Sequence, residues 1–216
     1  MKKVLFIAYQ FPPQSGPGVH RSLNFAKYLR EFNYEPIVIT RILSDNKMEA
    51  LDKDLLNQLS SNTKIIRLKG VNFERVIKYL MHLRIYRFFW FFFYPLLWEF
   101  STIWFLSVQN KIVQIAKEEN IQLIYTSSGP FSSLILGRNL QKKLKLKWVA
   151  DLRDPFTDGY AWAFPSKIHW YMMRFWEKQI LSKPDKLIVN TNEVRNLYLK
   201  RKINTIENIK VITNGY

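Results

Sequence analysis

The sequence contains no cysteine and only three histidines in 216 residues. The absence of cysteine excludes a disulfide framework, a thiolate zinc site, an iron–sulfur cluster and a cysteine nucleophile. The histidines, at positions 20, 82 and 169, lack the spacing of a metal-binding motif. We therefore expect no metal and no covalently bound cofactor.

Acidic residues are also scarce, since 17 Asp and Glu stand against 33 Lys and Arg, a formal net charge of +16. This excess predicts an anionic partner: nucleic acid, an anionic membrane surface or a phosphorylated small molecule. The 48% of hydrophobic and 23% of charged residues are ordinary for a globular protein. We expect residues 1–216 to form one domain.

Two apolar segments raise the question of export or membrane insertion. Residues 4–9 end at Gln10 without a small-residue cleavage site, so a buried first strand is the better interpretation. Residues 88–108 contain one charge, Glu99. That acid near the middle, and apolar residues at three- and four-residue steps from Leu97 onward, favour an ordinary helix over a membrane span.

Apolar, β-branched segments recur along the chain and are separated by stretches long enough for helices. Seven are predicted strands, at residues 3–9, 36–40, 64–68, 122–126, 147–151, 186–190 and 208–212. The alternation predicts an α/β fold: a doubly wound, Rossmann-like, mostly parallel sheet of about seven strands with helices on both faces. Ligands bind such sheets at the carboxyl ends of the strands.

Two stretches show helical periodicity, residues 19–32 and 166–181. In the second, apolar residues recur at three- and four-residue steps, the spacing of one helix face. The predicted core face of this helix consists of Ile168, Tyr171, Met172, Phe175, Trp176 and Ile180.

The loop after the first predicted strand contains Gly16 and Gly18 directly before a helix. Glycine lets a ligand approach the backbone, and the free N–H groups at a helix start favour a phosphate. We interpret the loop as one that approaches a diphosphate, although a plain surface turn fits the same residues. A dinucleotide fingerprint fits less well, because Arg21 stands where a third glycine would pack.

The loops after the fourth and fifth predicted strands are polar. Ser127, Ser128 and Gly129 precede a helix, where the serines either bind a substrate or cap the helix. The next loop contains three charged residues, and such bunched charges are costly unless they pair with each other or with a ligand. These residues are Asp151, Arg153 and Asp154.

Two interpretations of this charged loop stay open. Arg153 forms a salt bridge to either aspartate, or Asp151 or Asp154 binds a hydroxyl or acts as a catalytic base while Arg153 orients it or binds an anion. We expect the three loops to meet at one edge of the sheet, with Gly18, Ser128 and Arg153 close together.

Residues 64–87 contain seven lysines and arginines against one acid, and residues 86–94 contain eight aromatic residues. Cations beside aromatic rings are typical of segments that lie among lipid headgroups. A core position for the rings, with the charges in solvent, is the alternative; single-stranded nucleic acid would need the rings spaced along a groove. The residues expected at a membrane surface are Arg84, Arg87, Phe89, Trp90 and Phe92.

Seven short motifs follow one another along nearly the whole chain. They are YQFPP, GPGVHR, FAKYL, SSGP, DLRDP, NT and NGY, at residues 9–13, 16–21, 25–29, 127–130, 151–155, 190–191 and 214–216. In this order they resemble the N-terminal, acceptor-side domain of family 4 (group 1) glycosyltransferases, which have the GT-B fold.

The resemblance implies two Rossmann-like domains across a cleft, the first for the acceptor and the second for most of the nucleotide-sugar. It implies transfer with retention of configuration and without a metal. The loop of Gly16 and Gly18 would approach the donor diphosphate, and residues 127–130 and 151–154 would line the acceptor side. Further residues with an implied role in substrate binding are His20, Arg21, Thr191 and Asn214.

Many members of the family extend lipid-linked or surface polysaccharides on the inner face of the bacterial cytoplasmic membrane, so we expect a cytoplasmic, peripheral location. Pro17 departs from the glycine of many relatives, and the donor-binding domain is absent from these 216 residues. The chain ends soon after a strand and looks cut off. Alone, it is expected to have weak or no transferase activity unless a second polypeptide supplies the donor site.

Two other functions stay open. One is a non-catalytic binding or scaffold domain that pairs with a separate donor-domain chain. The other, a basic nucleic-acid-binding protein, predicts an affinity for single strands that falls steeply with salt. We do not expect nucleic acid as the partner.

Overall fold

The computed structural model describes residues 1–43, 51–71, 101–159 and 164–214, together with seven single residues between 79 and 99. One sheet contains seven strands in the order β3-β2-β1-β4-β5-β6-β7, and every neighbouring pair is parallel. The strands are β1 (Lys2–Ile7), β2 (Tyr34–Arg41), β3 (Lys64–Leu68), β4 (Leu123–Ser127), β5 (Lys147–Leu152), β6 (Lys186–Val189) and β7 (Ile209–Val211). The predicted doubly wound, Rossmann-like sheet is confirmed.

Helices connect the strands. The α-helices of the described residues are α1 (Pro17–Tyr28), α2 (Ser101–Glu118), α3 (Ser132–Leu144), α4 (Lys167–Leu181) and α5 (Asn192–Lys200). Two short 3-10 helices, Leu29–Phe32 and Lys53–Gln58, lie before β2 and before β3.

Both faces of the sheet are covered, as the alternation of β1 shows. Leu5 and Ile7 belong to the large apolar core that includes Ile112 of α2. Val4 and Phe6, which point the other way because side chains alternate along a strand, pack in a second cluster with Ala26 of α1.

The order of the strands reverses at β1, which pairs with β2 on one side and with β4 on the other. In a doubly wound sheet, the loops at such a reversal leave in opposite directions and open a crevice at the carboxyl ends of the strands. The loops after β1, β4 and β5 therefore lie next to one another. They are the three loops that the sequence singles out.

The predicted core face of the helix at residues 166–181 is wrong. Ile168, Tyr171 and Phe175 are 70%, 67% and 59% exposed, and Met172 and Trp176 are exposed as well. The opposite face packs on the sheet through Met173 and Ile180, and of the predicted face only Ile180 is buried. Apolar periodicity alone selects the wider hydrophobic stripe of this helix, whereas in the structure the narrower face with Met173 and Ile180 packs on the sheet.

The five residues expected at a membrane surface, Arg84, Arg87, Phe89, Trp90 and Phe92, lie outside the described residues. In the segment 88–108, α2 begins at Ser101. Glu99 precedes it and accepts hydrogen bonds from the backbone N–H groups of Phe131 and Ser132 at the start of α3. Within the described ranges, no helix is long and apolar enough to cross a bilayer.

Candidate functional site

The three loops meet around the side chain of Arg153. Its backbone N–H donates to the Ser128 hydroxyl at 2.9 Å, so the β4 and β5 loops are joined directly. A Cβ at Gly18 or at Gly129 would overlap the Arg153 guanidinium, and Gly129 also has a φ of +93°. Glycine at these two positions lets the guanidinium lie against both backbones. The predicted meeting of Gly18, Ser128 and Arg153 is confirmed.

The Arg153 side chain is half-buried and has no counter-ion among the described residues. No carboxylate of the described residues lies within salt-bridge distance of it, and its Nε atom is buried without a hydrogen-bond partner there. Burial lowers the pKa of Arg153, and this effect exceeds the opposing charges of Asp154 and Asp151. The salt bridge from Arg153 to either aspartate is therefore not formed. A desolvated, unpaired guanidinium is suited to binding an anion.

Asp151, at the end of β5, is fully buried and forms an ion pair with Arg21 of α1. Arg21 Nη2 lies 2.6 Å from Oδ1 and Nε lies 2.9 Å from Oδ2, a bidentate arrangement. The Ser127 hydroxyl also donates to Oδ2, at 3.4 Å. Burial acts to lower the pKa of Arg21, but hydrogen bonding and the charge of Asp151 outweigh it, and the pKa lies above its usual value.

The same guanidinium holds the segment that follows β7. Arg21 Nη1 donates to the carbonyls of Ile212 at 2.9 Å and Thr213 at 3.2 Å, and to Asn214 Oδ1 at 3.0 Å. Arg21 therefore joins α1, β5 and the residues after β7. Its side chain is nearly buried, so within this structure it positions other groups.

The remaining predicted site residues are placed as follows. Asp154 and His20 are exposed. Gly16 occupies the N-cap position of α1 with a φ of 138°, and the space where a Cβ would point is open. Thr191 caps α5, since its hydroxyl accepts from the Val194 N–H at 3.3 Å.

Neither Ser127 nor Ser128 caps α3, because Glu99 takes that role. Its carboxylate accepts from the N–H groups of Phe131 at 3.0 Å and Ser132 at 2.7 Å. This function of Glu99 was not predicted from the sequence, although an isolated acid in an apolar segment is the signal of a buried partner. The place of Ser22 of α1 in the site was not predicted either; its hydroxyl lies 3.3 Å from that of Ser127.

Metal ligands are not clustered in the part of the chain that the structure describes. Within those residues, no group of three or more His, Asp or Glu side chains is arranged to hold a metal ion. What the arrangement offers is a cation, Arg153, beside an exposed carboxylate, Asp154, at the crevice. These groups suit an anion and a hydroxyl.

Solved structures with the same fold include a glycosyltransferase and proteins in complex with nucleotides. The glycosyltransferase of Rickettsia africae is 18% identical with a TM-score of 0.55, and the chain covers 43% of it. For Anabaena HepE in complex with UDP-glucose, the values are 17%, 0.55 and 44%. For the S. aureus MnaA–UDP structure, they are 13%, 0.57 and 45%. At these identities the likeness concerns the fold.

In each case 99 to 100% of this chain is aligned, so it spans somewhat less than half the length of these structures. No curated protein matches the sequence. The family model described as Glycosyltransferase Family 4 matches residues 18–216, a range that includes the β4 and β5 loops and Gly18. The chain belongs to glycosyltransferase family 4.

Proposed function

We propose that this chain is the acceptor-binding half of a retaining, nucleotide-sugar-dependent glycosyltransferase. It would act at the inner face of the bacterial cytoplasmic membrane in polysaccharide or glycolipid synthesis. The observation that carries the proposal is the guanidinium of Arg153, which lies against Gly18 and Gly129 where the sheet order reverses and forms no ion pair with the described residues.

The anion expected at Arg153 is a phosphate group of a substrate. A nucleotide-sugar contains a diphosphate, and a lipid-linked acceptor contains phosphate as well. HepE and MnaA were solved with UDP-glucose and UDP, which supports a nucleotide-sugar as the donor here. The two glycines leave no side chain between the loop backbones and the guanidinium, so an anion bound by Arg153 can contact backbone N–H groups as well.

The two aspartates take different roles in this proposal. Asp154 is exposed next to Arg153 and is the candidate for accepting the hydrogen bond of an acceptor hydroxyl. Asp151 is a positioning residue, because both its oxygens bind Arg21. Gly16, His20, Ser127, Thr191 and Asn214 line the same end of the sheet and remain candidates for substrate contact.

The donor site would come from the other half of the enzyme. Since the chain spans about 44% of relatives such as HepE, a second domain or a separate polypeptide has to supply the contacts to most of the nucleotide-sugar. The isolated chain would then have weak or no transferase activity. A non-catalytic scaffold that pairs with a separate donor-domain chain would show the same inactivity, so activity must be measured in the completed enzyme.

The test is a set of substitutions in the chain completed with its second domain. We expect Arg153→Gln to lower turnover about 100-fold, the usual effect of removing one group that stabilises developing negative charge. Arg153→Lys should restore part of it, because the charge returns without the bidentate geometry. Asp154→Asn should lower turnover as well.

The matched control is Arg138→Gln, a half-buried arginine of α3. It should leave turnover close to wild type. If Arg153→Gln and Arg138→Gln have the same turnover, Arg153 does not bind the reacting anion and the proposal fails. Measured unfolding midpoints of both variants separate this result from a loss of folded protein.

A further inference from the structure

The outward face of α4 is a continuous apolar surface. Its five residues recur at steps of three, one, three and one, which places them along one side of the helix. Isolated exposed apolar side chains are ordinary on a protein surface, whereas a contiguous group marks an interaction site. The α4 stripe consists of Ile168, Tyr171, Met172, Phe175 and Trp176, which are 70%, 67%, 38%, 59% and 39% exposed.

The other face of α4 is already anchored, so the stripe is not a core that has yet to pack. Met173 and Ile180 lie in the apolar core. Glu177 is fully buried, accepts from the Thr157 N–H at 3.2 Å and bonds Arg201 Nη1 at 3.1 Å. Turning the helix to bury the stripe would break these contacts and expose the core side.

The charges of α4 are all positive on its accessible surface. Lys167 and Lys178 are exposed at either end, and Arg174 is half-buried. The single acid of the helix, Glu177, has no exposed surface. An apolar face flanked by cations and free of acids is typical of helices that lie in the plane of an anionic membrane surface.

One more exposed aromatic ring, from a residue that precedes α4 in the sequence, packs against this helix. Phe91 is 42% exposed. Its ring centroid lies 4.8 Å from that of His169, and its carbonyl oxygen lies 2.9 Å from His169 Nε2. Phe91 is thereby held against the first turn of α4.

We propose that the α4 stripe docks on an anionic lipid bilayer, with the Phe175 and Trp176 rings at the boundary of headgroups and acyl chains and with Lys167 and Lys178 at headgroup phosphates. At 15 residues the helix is too short to cross a bilayer, so it lies on the surface. Two copies would bring like charges together, which disfavours a second chain as the occupant. This inference names the lipid surface of the proposed function and rests on it.

Co-sedimentation of the purified chain with vesicles tests the proposal. The vesicles are phosphatidylcholine alone, or phosphatidylcholine with about a quarter phosphatidylglycerol. We expect the double variant Phe175→Gln, Trp176→Gln to bind the anionic vesicles at least about tenfold more weakly, because it removes the two rings that the bilayer would bury. Glutamine keeps a good helix propensity. We expect Lys167→Gln, Lys178→Gln to lose about fivefold per charge on anionic vesicles only.

The matched control is Phe32→Gln, Ile206→Gln, which removes two apolar side chains that lie outside α4 and are 71% and 61% exposed. It should bind vesicles as the wild type does. Wild-type protein that ignores anionic vesicles, or a Phe175→Gln, Trp176→Gln variant that binds like the control, overturns the proposal. The proposal is also overturned if the wild type does not bind vesicles and is a dimer by sedimentation equilibrium, whereas the Phe175→Gln, Trp176→Gln variant is a monomer.

The failure of this proposal differs from that of the proposed function. In the completed enzyme, Phe175→Gln, Trp176→Gln should keep turnover on a water-soluble acceptor and lose it on a vesicle-borne one. Arg153→Gln should lower both. An α4 variant with normal turnover on the vesicle-borne acceptor overturns docking and leaves the transferase proposal standing.

Discussion

At the scale of single residues, Arg21 connects more of the site than any other side chain described above. One guanidinium binds both carboxylate oxygens of Asp151 and three acceptors after β7. Both ions of the pair are almost completely removed from water. Such a pair contributes little to the free energy of unfolding when compared with apolar residues of the same size. Removal of one partner, however, leaves a buried charge uncompensated.

The first prediction concerns this pair. Asp151→Asn should lower the free energy of unfolding by about 3–5 kcal/mol, because the Arg21 charge stays buried without its counter-ion. Urea unfolding monitored by far-ultraviolet circular dichroism measures the change. A catalytic role of Asp151, one of the two interpretations of the charged loop, predicts a loss of turnover much greater than the loss of stability, whereas the buried pair makes us expect a large loss of both.

Asp154→Asn is the matched control for Asp151→Asn, since it makes the same chemical change three positions along the chain at an exposed site. Its effect on the free energy of unfolding should stay within about 0.5 kcal/mol. If the two variants are equally stable, the Arg21–Asp151 pair does not hold the loops together.

The sequence predicted which loops meet, but it did not predict which side chains pair. Gly18, Ser128 and Arg153 each follow a strand in the same parallel sheet, so their convergence follows from topology. Arg21 and Asp151 lie 130 positions apart, and the alternation of strands and helices does not specify which charge of one loop reaches another. Arg153 is closer to Asp151 in the sequence, yet Asp151 forms its ion pair with Arg21.

At the scale of elements, the start of α3 shows how a distant residue replaces a local signal. The serines at the end of β4 suggested a local cap, but Glu99 supplies the carboxylate from 32 positions before Phe131. The first N–H groups of a helix lack partners and carry partial positive charge, so an acceptor with negative charge is favourable there. Phe131 and Ser132 are buried, so their N–H groups depend on the carboxylate as an acceptor.

The second prediction is that Glu99→Ala lowers the free energy of unfolding by about 1–3 kcal/mol, because two buried N–H groups lose their acceptor. Glu99→Gln should cost less, since the amide oxygen still accepts. Urea unfolding at neutral pH compares the two variants. Glu99→Ala with wild-type stability would mean that other groups satisfy the start of α3.

The pH dependence of this effect has a definite sign. Burial raises the pKa of Glu99, and the N–H groups of Ser132 and Phe131 offset this only in part. A folded-state pKa above the unfolded value of about 4.3 means that the fold favours the protonated acid. The resulting stabilisation is complete below about pH 4 and is lost as pH rises through the folded-state pKa. Relative to Glu99→Gln, the wild type should therefore lose stability as pH rises above about 4. A wild type that gains stability relative to Glu99→Gln as pH rises would contradict the assignment.

The helix α4 shows why hydrophobicity alone selected the wrong face. Its outward stripe contains larger apolar residues than its inward face, which includes the charged Glu177. That carboxylate is buried because Thr157, Tyr198 and Arg201 supply donors. These partners come from the loop after β5 and from α5 and its end, so no pattern within α4 predicts them. The misassigned face is the one proposed to dock on lipid.

At the scale of the whole molecule, the class of the fold follows from the sequence and the strand order does not. All seven predicted strands are present and parallel, because apolar segments separated by helices require parallel crossovers. The order β3-β2-β1-β4-β5-β6-β7 depends on which strands pair across distances such as that from β1 to β4. Hydrophobic periodicity contains no information on those pairings.

The net charge of +16 also belongs to this scale, and it acts differently from the α4 stripe. Attraction of the whole molecule to an anionic surface is screened over a Debye length of about 8 Å at physiological salt. Contact between apolar rings and acyl chains does not depend on charge. The affinity of the wild type for anionic vesicles should therefore fall with salt concentration. The two α4 double variants should change this salt dependence in different ways.

The last prediction separates the two contributions. Phe175→Gln, Trp176→Gln should weaken binding by the same factor at every salt concentration, because it removes apolar contact and leaves the charge at +16. Lys167→Gln, Lys178→Gln should flatten the salt dependence, since it removes cations at the contact itself. Lys142→Gln, Lys200→Gln, exposed on α3 and α5, makes the same change in net charge elsewhere. If that control flattens the curve equally, the lysines of α4 do not lie at the membrane, and charge attracts the molecule without orienting it.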